Sequence, residues 1–197
     1  MLAGSPLLLI ACVSDINRKE AQIHFEAAQR YDIQGDYTSA REQYGKALVD
    51  ARLAGVDPAT ISMLTYNYGR TTGYTCHFEE AEKYLLEALN MEKNITGPES
   101  GVSTKRVFEL ARLYFDQGQY AKSAVYYANG IPLVEKLGAA QSDPIGLANA
   151  MDEYAVALAN VGKTSDAATA KQRAAQLREQ NPRARAGFVP TRYKCKQ

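Results

Sequence analysis

The stretch Gly35-Asp-Tyr-Thr-Ser-Ala-Arg-Glu-Gln-Tyr-Gly-Lys-Ala-Leu48 decides how the chain is read. A glycine able to turn the backbone is followed by Tyr37, Ala40, Tyr44, Ala47 and Leu48, whose spacing puts them on one face of a helix. The frame returns from Cys76 to Leu89 as Phe78, Ala81, Leu85, Ala88 and Leu89, and from Gly118 to Ile131 as Tyr120, Ser123, Tyr127, Gly130 and Ile131. A weaker copy follows Gly162 with Thr164, Ala167, Lys171 and Ala174. A repeated helical unit of this length predicts a solenoid, because no single unit can bury its own apolar face.

Working outward, each copy is the second helix of a pair. Asn17 and Glu20 have capping-box spacing, and Ala21, His24, Phe25, Ala28 and Tyr31 share the face of a first helix that Gly35 ends. The second helix runs from Tyr37 to about Ala54, where Gly55 caps it, and Asp57-Pro58 opens a third that reaches about Tyr74. Its partner covers about Phe78 to Lys93, before the break at Thr96-Gly97-Pro98. The next pair spans about Ser103 to Asp116 and Tyr120 to Leu137. Pro132 predicts a kink or break near residues 128–132, since it removes a hydrogen bond and crowds the carbonyl of Ala128. Asp143-Pro144 repeats the start signal for a helix ending near Val161, and a last helix from Ser165 to Glu179 stops at Asn181-Pro182. Repeat starts at Ala21, Ser62, Thr104 and Ala148 give a period of about 42 residues. The chain therefore divides into a leading segment 1–16, a repeat domain 17–182 (repeats about 21–57, 58–97, 100–140 and 144–182) and a basic tail 183–197.

Ala27-Ala28 with Tyr31, Tyr68-Gly69, and Leu110-Ala111 with Tyr114 stand in the first helices, and G-x-Y/F-x-x-A-x-x-x-Y-x-x-A-L in the second. Together they resemble the tetratricopeptide repeat. The long period, with A-L-N-M-E-K-N-I-T-G-P-E-S-G-V-S between repeats, resembles its kinesin-light-chain type. The resemblance covers about Ala21 to Pro182 and implies an all-α, right-handed α-solenoid of four helix-turn-helix repeats. It also implies a concave groove lined by the first helix of each repeat. On this chain the matching positions are Gln22, Phe25, Gln29 and Ile33, then Met63, Tyr66, Arg70 and Tyr74, then Lys105, Phe108, Arg112 and Phe115, and finally Asn149 and Asp152. The residues expected to hold a partner are Phe25, Gln29, Tyr66, Asn67, Arg70, Tyr74, Lys105, Phe108, Arg112 and Phe115. Asn67 and Lys105 match positions of the chaperone-type carboxylate clamp, whereas Phe25, Gln29 and Glu109 do not.

Arg70 and Arg112 hold the same position in consecutive repeats, and Lys105 lies two turns before Arg112. Flanked by aromatic rings, these cations favour a protein or peptide segment that combines carboxylates with apolar anchors. The competing reading pairs the arginines with the chain's own acids, such as Glu109 or Asp116.

The start, M-L-A-G-S-P-L-L-L-I-A-C, resembles the end of a bacterial lipoprotein signal, L-x-A/G-C. That resemblance implies lipidation at Cys12, with Val13 after it indicating the outer membrane. The other reading is an apolar extension that packs on the first helix. No apolar run of about eighteen residues exists to cross a membrane, so contact with one comes only through the lipid.

The composition, 46% hydrophobic and 23% charged, is that of a folded soluble protein rather than a disordered one. A net charge of +1 provides no whole-molecule attraction for nucleic acid. The exception is local: Arg183, Arg185, Arg192, Lys194 and Lys196 make an acid-free tail that reads as a solvated end, with a membrane or partner contact as the alternative. The two histidines, His24 and His77, have no ligand set around them, and Cys12, Cys76 and Cys195 make no metal spacing. No phosphate loop, nucleophile elbow or carboxylate pair stands out, so neither catalysis, a metal nor a cofactor is expected. Cys76 and Cys195 are expected as free thiols, since the tail leaves from the far edge and would have to run almost straight to connect them.

The expected function is a non-catalytic interaction scaffold. It would be a lipid-anchored adaptor in a bacterial cell envelope, facing the periplasm and supporting assembly of a pilus, secretion or cell-wall complex. The alternative is a soluble, cytoplasmic regulatory module that senses a peptide.

Overall fold

The structure, a computed structural model, describes residues 6–187 and 189–195, with side chains from Ser14 onward among them. All regular structure among these residues is α-helical, and the chain forms two compact units, Met1–Ile95 and Thr96–Gln197.

The first unit contains α1 (Pro6–Gln34), α2 (Tyr37–Leu53), α3 (Pro58–Tyr74) and α4 (Phe78–Thr96). Asp36 caps α2 by accepting from the amide of Ser39 at 3.1 Å, and Asp57 caps α3 by accepting from that of Thr60 at 2.9 Å. Gly35, Gly55 and Cys76 turn the chain between helices with positive φ of 77°, 62° and 70°. Cys76 thus takes a backbone conformation that glycine fills elsewhere, and its neighbour His77 closes the turn by donating to the carbonyl of Thr72 at 3.1 Å. Ala28 of α1 and Ala40 of α2, both fully buried, let these helices approach, and Tyr44, Leu48 and Leu64 fill the core beside them. Gly69 does the same between α3 and α4: a methyl group there would sit 3.0 Å from the amide nitrogen of Leu85.

The second unit contains α5 (Gly101–Asp116), α6 (Tyr120–Lys136), the short α7 (Ala139–Ser142), α8 (Pro144–Asn160) and α9 (Thr164–Gln180). Ser100 caps α5 at 3.0 Å from the amide of Ser103, and Asp143 caps α8 at 2.9 Å from that of Gly146. Phe108, Ala111, Tyr127, Ile131, Ala148 and Met151 form one core, and Ala124, Ala155, Leu158 and Ala167 another. Gly130 of α6 lies directly against α5, where an added methyl would meet the Phe108 ring at 2.9 Å.

Several boundaries differ from expectation. α1 does not start at Asn17 but runs through it from Pro6, because nothing between Leu7 and Asn17 breaks a helix and leucine and alanine favour one. The capping-box spacing of Asn17 and Glu20 therefore lies inside a helix. α6 is not broken at Pro132 either. Both Pro132 and Ala128 are exposed, so the carbonyl that loses its amide partner faces water. The leading segment expected for residues 1–16 falls partly outside the described residues, as does the side chain of Cys12.

Candidate functional site

In the first unit the expected partner residues lie on α1 and α3. Tyr66, Arg70 and Tyr74 recur one turn apart on α3, and the Arg70 guanidinium sits 6.0 Å from the Tyr66 ring centre and 5.6 Å from that of Tyr74. It also forms an ion pair with Asp32 of α1. Asp32 in turn accepts from the Tyr44 hydroxyl at 3.3 Å. Burial pushes the Tyr44 phenol well above its ordinary value, and the Asp32 charge adds to the effect. Phe25 is half-buried, its ring 6.2 Å from that of Tyr44, while Gln29 is exposed and Asn67 partly so. The face is therefore aromatic, but its arginine already has a carboxylate.

In the second unit the expected residues are Lys105, Phe108, Arg112 and Phe115 on α5. Lys105 is exposed. Phe108 is a core residue, packed edge-on to Tyr127 at 5.8 Å. The buried Arg112 donates to Glu109 Oε2 at 2.8 Å, so the pairing reading holds for it as for Arg70. Further along, Asn149 and Asp152 of α8 both accept from Arg178 of α9, at 2.9 and 2.6 Å.

Phe115 leads to the feature that the sequence hides. The tail is not a solvated end. After α9 the chain passes Asp143, whose Oδ1 accepts from the Gly187 amide at 3.0 Å while also capping α8. It then lays Arg192 and Tyr193 on α5 and α8. Arg192 lies over the Phe115 ring at 5.3 Å and bridges Asp116 of α5 and Glu153 of α8. The Tyr193 amide donates to Asp116 Oδ2 at 2.8 Å, and its hydroxyl to Glu109 Oε1 at 2.6 Å. Tyr193 is 2% exposed, as deep as Leu64 and Tyr114 in the helices. Burial opposes the Arg192 charge, but the Asp116 and Glu153 carboxylates outweigh it and hold the guanidinium above its ordinary value.

Two of these carboxylates are aimed from within the helices. Glu109 has one oxygen on Arg112 and the other on Tyr193, and Glu153 has one on the Tyr127 hydroxyl and the other on Arg192. Burial pushes the Tyr127 phenol far up, with the Glu153 charge second, so it stays a neutral donor.

The free thiols expected at Cys76 and Cys195 are corrected: both are disulfide-bonded. The expectation assumed a tail leaving α9 directly, whereas this tail turns back across α8 to α5 and is pinned two residues before Cys195. His24 is held by Gln43, 2.7 Å away, and His77 lies 3.2 Å from Arg41 Nη1. No group of three potential ligands among the described residues could hold a metal ion.

No protein-family model matches the sequence, and no curated protein does either. Solved structures do. BtubC (BKLC) from P. vanneervenii superposes with a TM-score of 0.75 at 21% identity, over 90% of this chain and 68% of that one. A Podosopora anserina putative kinesin light chain with nearly identical TPR-like repeats gives 0.65 at 15% identity over 83% and 77%. The MamA protein gives 0.51 at 15% identity over 87% and 99%. At these identities the likeness concerns the fold. With its helix pairs and turn positions, that fold is an all-α solenoid of tetratricopeptide-type repeats, in the long form of kinesin light chain.

Proposed function

We propose that the chain is a non-catalytic interaction scaffold that receives an extended segment of another protein on the first helices of its repeats. The observation that carries this reading is the non-helical segment around Arg192 and Tyr193, seated on α5 and α8 by side-chain and backbone hydrogen bonds. A surface that seats extended backbone of its own chain has the hydrogen-bonding groups to seat another. On α3, the partly exposed Tyr74 supplies an apolar anchor and Arg70 a cation, with the buried Tyr66 ring behind it, so a partner carboxylate could exchange with Asp32 there. That is the acidic and apolar segment expected of the partner.

The setting we propose is a bacterial envelope, with a lipid on Cys12 and the repeats facing the periplasm, in support of a pilus, secretion or cell-wall assembly. Disulfide-bonded Cys76 and Cys195 support an oxidising compartment. Among the described residues no helix is long and apolar enough to cross a membrane. A cytoplasmic, peptide-sensing module is the second reading.

A photoreactive amino acid placed at Gln29 or Lys105 should cross-link one protein in cells, whereas the same group at the exposed second-helix positions Val49 and Val125 should not. Equal cross-linking from both sets would end the first-helix reading. A palmitate analogue incorporated by the wild type and not by Cys12→Ser would support the anchor, and equal labelling would dismiss it.

A further inference from the structure

Arg192 and Tyr193 sit in a site built by the helices rather than by the tail. Phe115 supplies a flat ring for a guanidinium, and Asp116 and Glu153 flank the same position from two different helices. Glu109 receives a phenol on one oxygen while Arg112 holds the other. Tyr127 fixes Glu153 in the same way. Without the tail, Glu109 would lose a phenol donor, and Asp116 and Glu153 a guanidinium. Such a surface attracts a cation and positions it between two carboxylates and an aromatic face. The Tyr193 amide on Asp116 adds a backbone contact, so the site also reads the direction of the chain.

We infer that the surface of Glu109, Phe115, Asp116 and Glu153 is a receptor for an extended segment carrying arginine followed by an aromatic residue. The chain's own Arg192–Tyr193 is its resident ligand, and a partner segment binds by exchange with it. This rests on the proposed scaffold function and specifies the ligand for the second unit. The ligand is cationic, unlike the acidic segment suited to α3. Because the resident ligand is tethered, its local concentration is high and a partner must outcompete it.

The test uses the full chain, oxidised, and a fluorescent peptide Val-Pro-Thr-Arg-Tyr-Lys that copies residues 189–194. In the variant Arg192→Ser with Tyr193→Ser, which empties the site, the peptide should bind at least about tenfold more tightly than to wild type, by fluorescence polarisation. A peptide with arginine and tyrosine interchanged should lose that gain, and so should adding Glu153→Gln to the emptied variant. If the emptied variant melts cooperatively yet binds the peptide no better than wild type, or binds the interchanged peptide equally, the inference is wrong.

Should the emptied variant fail to fold, the wild type decides. Excess peptide should speed hydrogen exchange at the Tyr193 amide, and unchanged exchange under saturating peptide would overturn the inference. Cross-linking from Gln29 or Lys105 combined with no peptide binding would remove this ligand class and leave the scaffold reading standing.

Discussion

Asp32 near the end of α1 and Arg70 in the fourth turn of α3 form an ion pair, with the Tyr44 hydroxyl of α2 on the same carboxylate. The pair is mostly shielded, at 14% and 21% side-chain exposure. Removing the arginine leaves a carboxylate with reduced compensation. Arg70→Ala is therefore expected to destabilise the protein by about 2 kcal/mol, the scale of a charged hydrogen bond. Adding Asp32→Ala should restore part of the loss, which a double-mutant cycle from urea melts would measure. Strictly additive losses would deny the coupling.

Gly69 is a packing residue. Its absent side chain leaves room for Leu85 and Tyr84, whose nearest atoms would stand 3.0 to 3.1 Å from a methyl group, and one of them is backbone. Gly69→Ala should cost about 1–3 kcal/mol of overpacking, more than the helix-propensity gain of about 1 kcal/mol. Gly45→Ala is the contrast. There the neighbour is the ring of Tyr68, held by Glu80 and Tyr84 but a side chain rather than backbone, so a small shift of the ring suffices and the melting midpoint should fall less.

Cys76 bears a left-handed backbone conformation at φ 70° in which glycine is unstrained. Under reducing conditions, where its disulfide is open, Cys76→Gly should stabilise by about 1 kcal/mol. Under oxidising conditions the same change should destabilise, since the cross-link is lost. Thermal melts with and without reductant would reveal the reversal of sign. Alkylation followed by mass spectrometry should find Cys76 and Cys195 protected until reduction.

The phenols of Tyr44 and Tyr127 are both raised above the ordinary value of 10.0 by burial, with Asp32 and Glu153 second. A group raised on folding contributes stability that is complete below the unfolded pKa and falls as pH climbs toward the folded one. Urea midpoints should therefore hold up to about pH 10 and decline above it. Tyr127→Phe should flatten that decline while lowering the midpoint below about pH 10, because Glu153 loses its donor. An unchanged alkaline slope would contradict the assignment.

Helix pairs were legible because their signals are local. Glycines in turns, Asp-Pro starts and apolar spacing all act within a few residues, and Cys76 takes its place in a turn from its register in the repeat. The start of α1 was missed because Asn17 and Glu20 carry a cap pattern inside a stretch that stays helical. α7 is too short at 4 residues to show a period. Groove positions told less than the helices did. Phe108 and Phe115 hold related positions on α5, yet one is core and the other lies beneath Arg192. The partners of the tail stand 39 to 84 residues away along the chain, and no local pattern carries that information.

Those separations impose an order of assembly. The helices of the second unit meet mainly their neighbours in sequence, whereas Arg192 and Tyr193 are synthesised after every helix they touch. Glu109 and Asp116 precede Tyr193 by 84 and 77 residues, and Glu109 is already paired with Arg112 of its own helix, whereas Glu153 precedes Arg192 by only 39. Closing so long a loop is also slow compared with pairing adjacent helices. Refolding of the reduced chain should show a fast rise in helicity and then a slower docking step. Tyr193→Phe should change only the slower one, and a single phase for both would show that tail and helices close together. On this order the tail is a latch that fastens helices already packed.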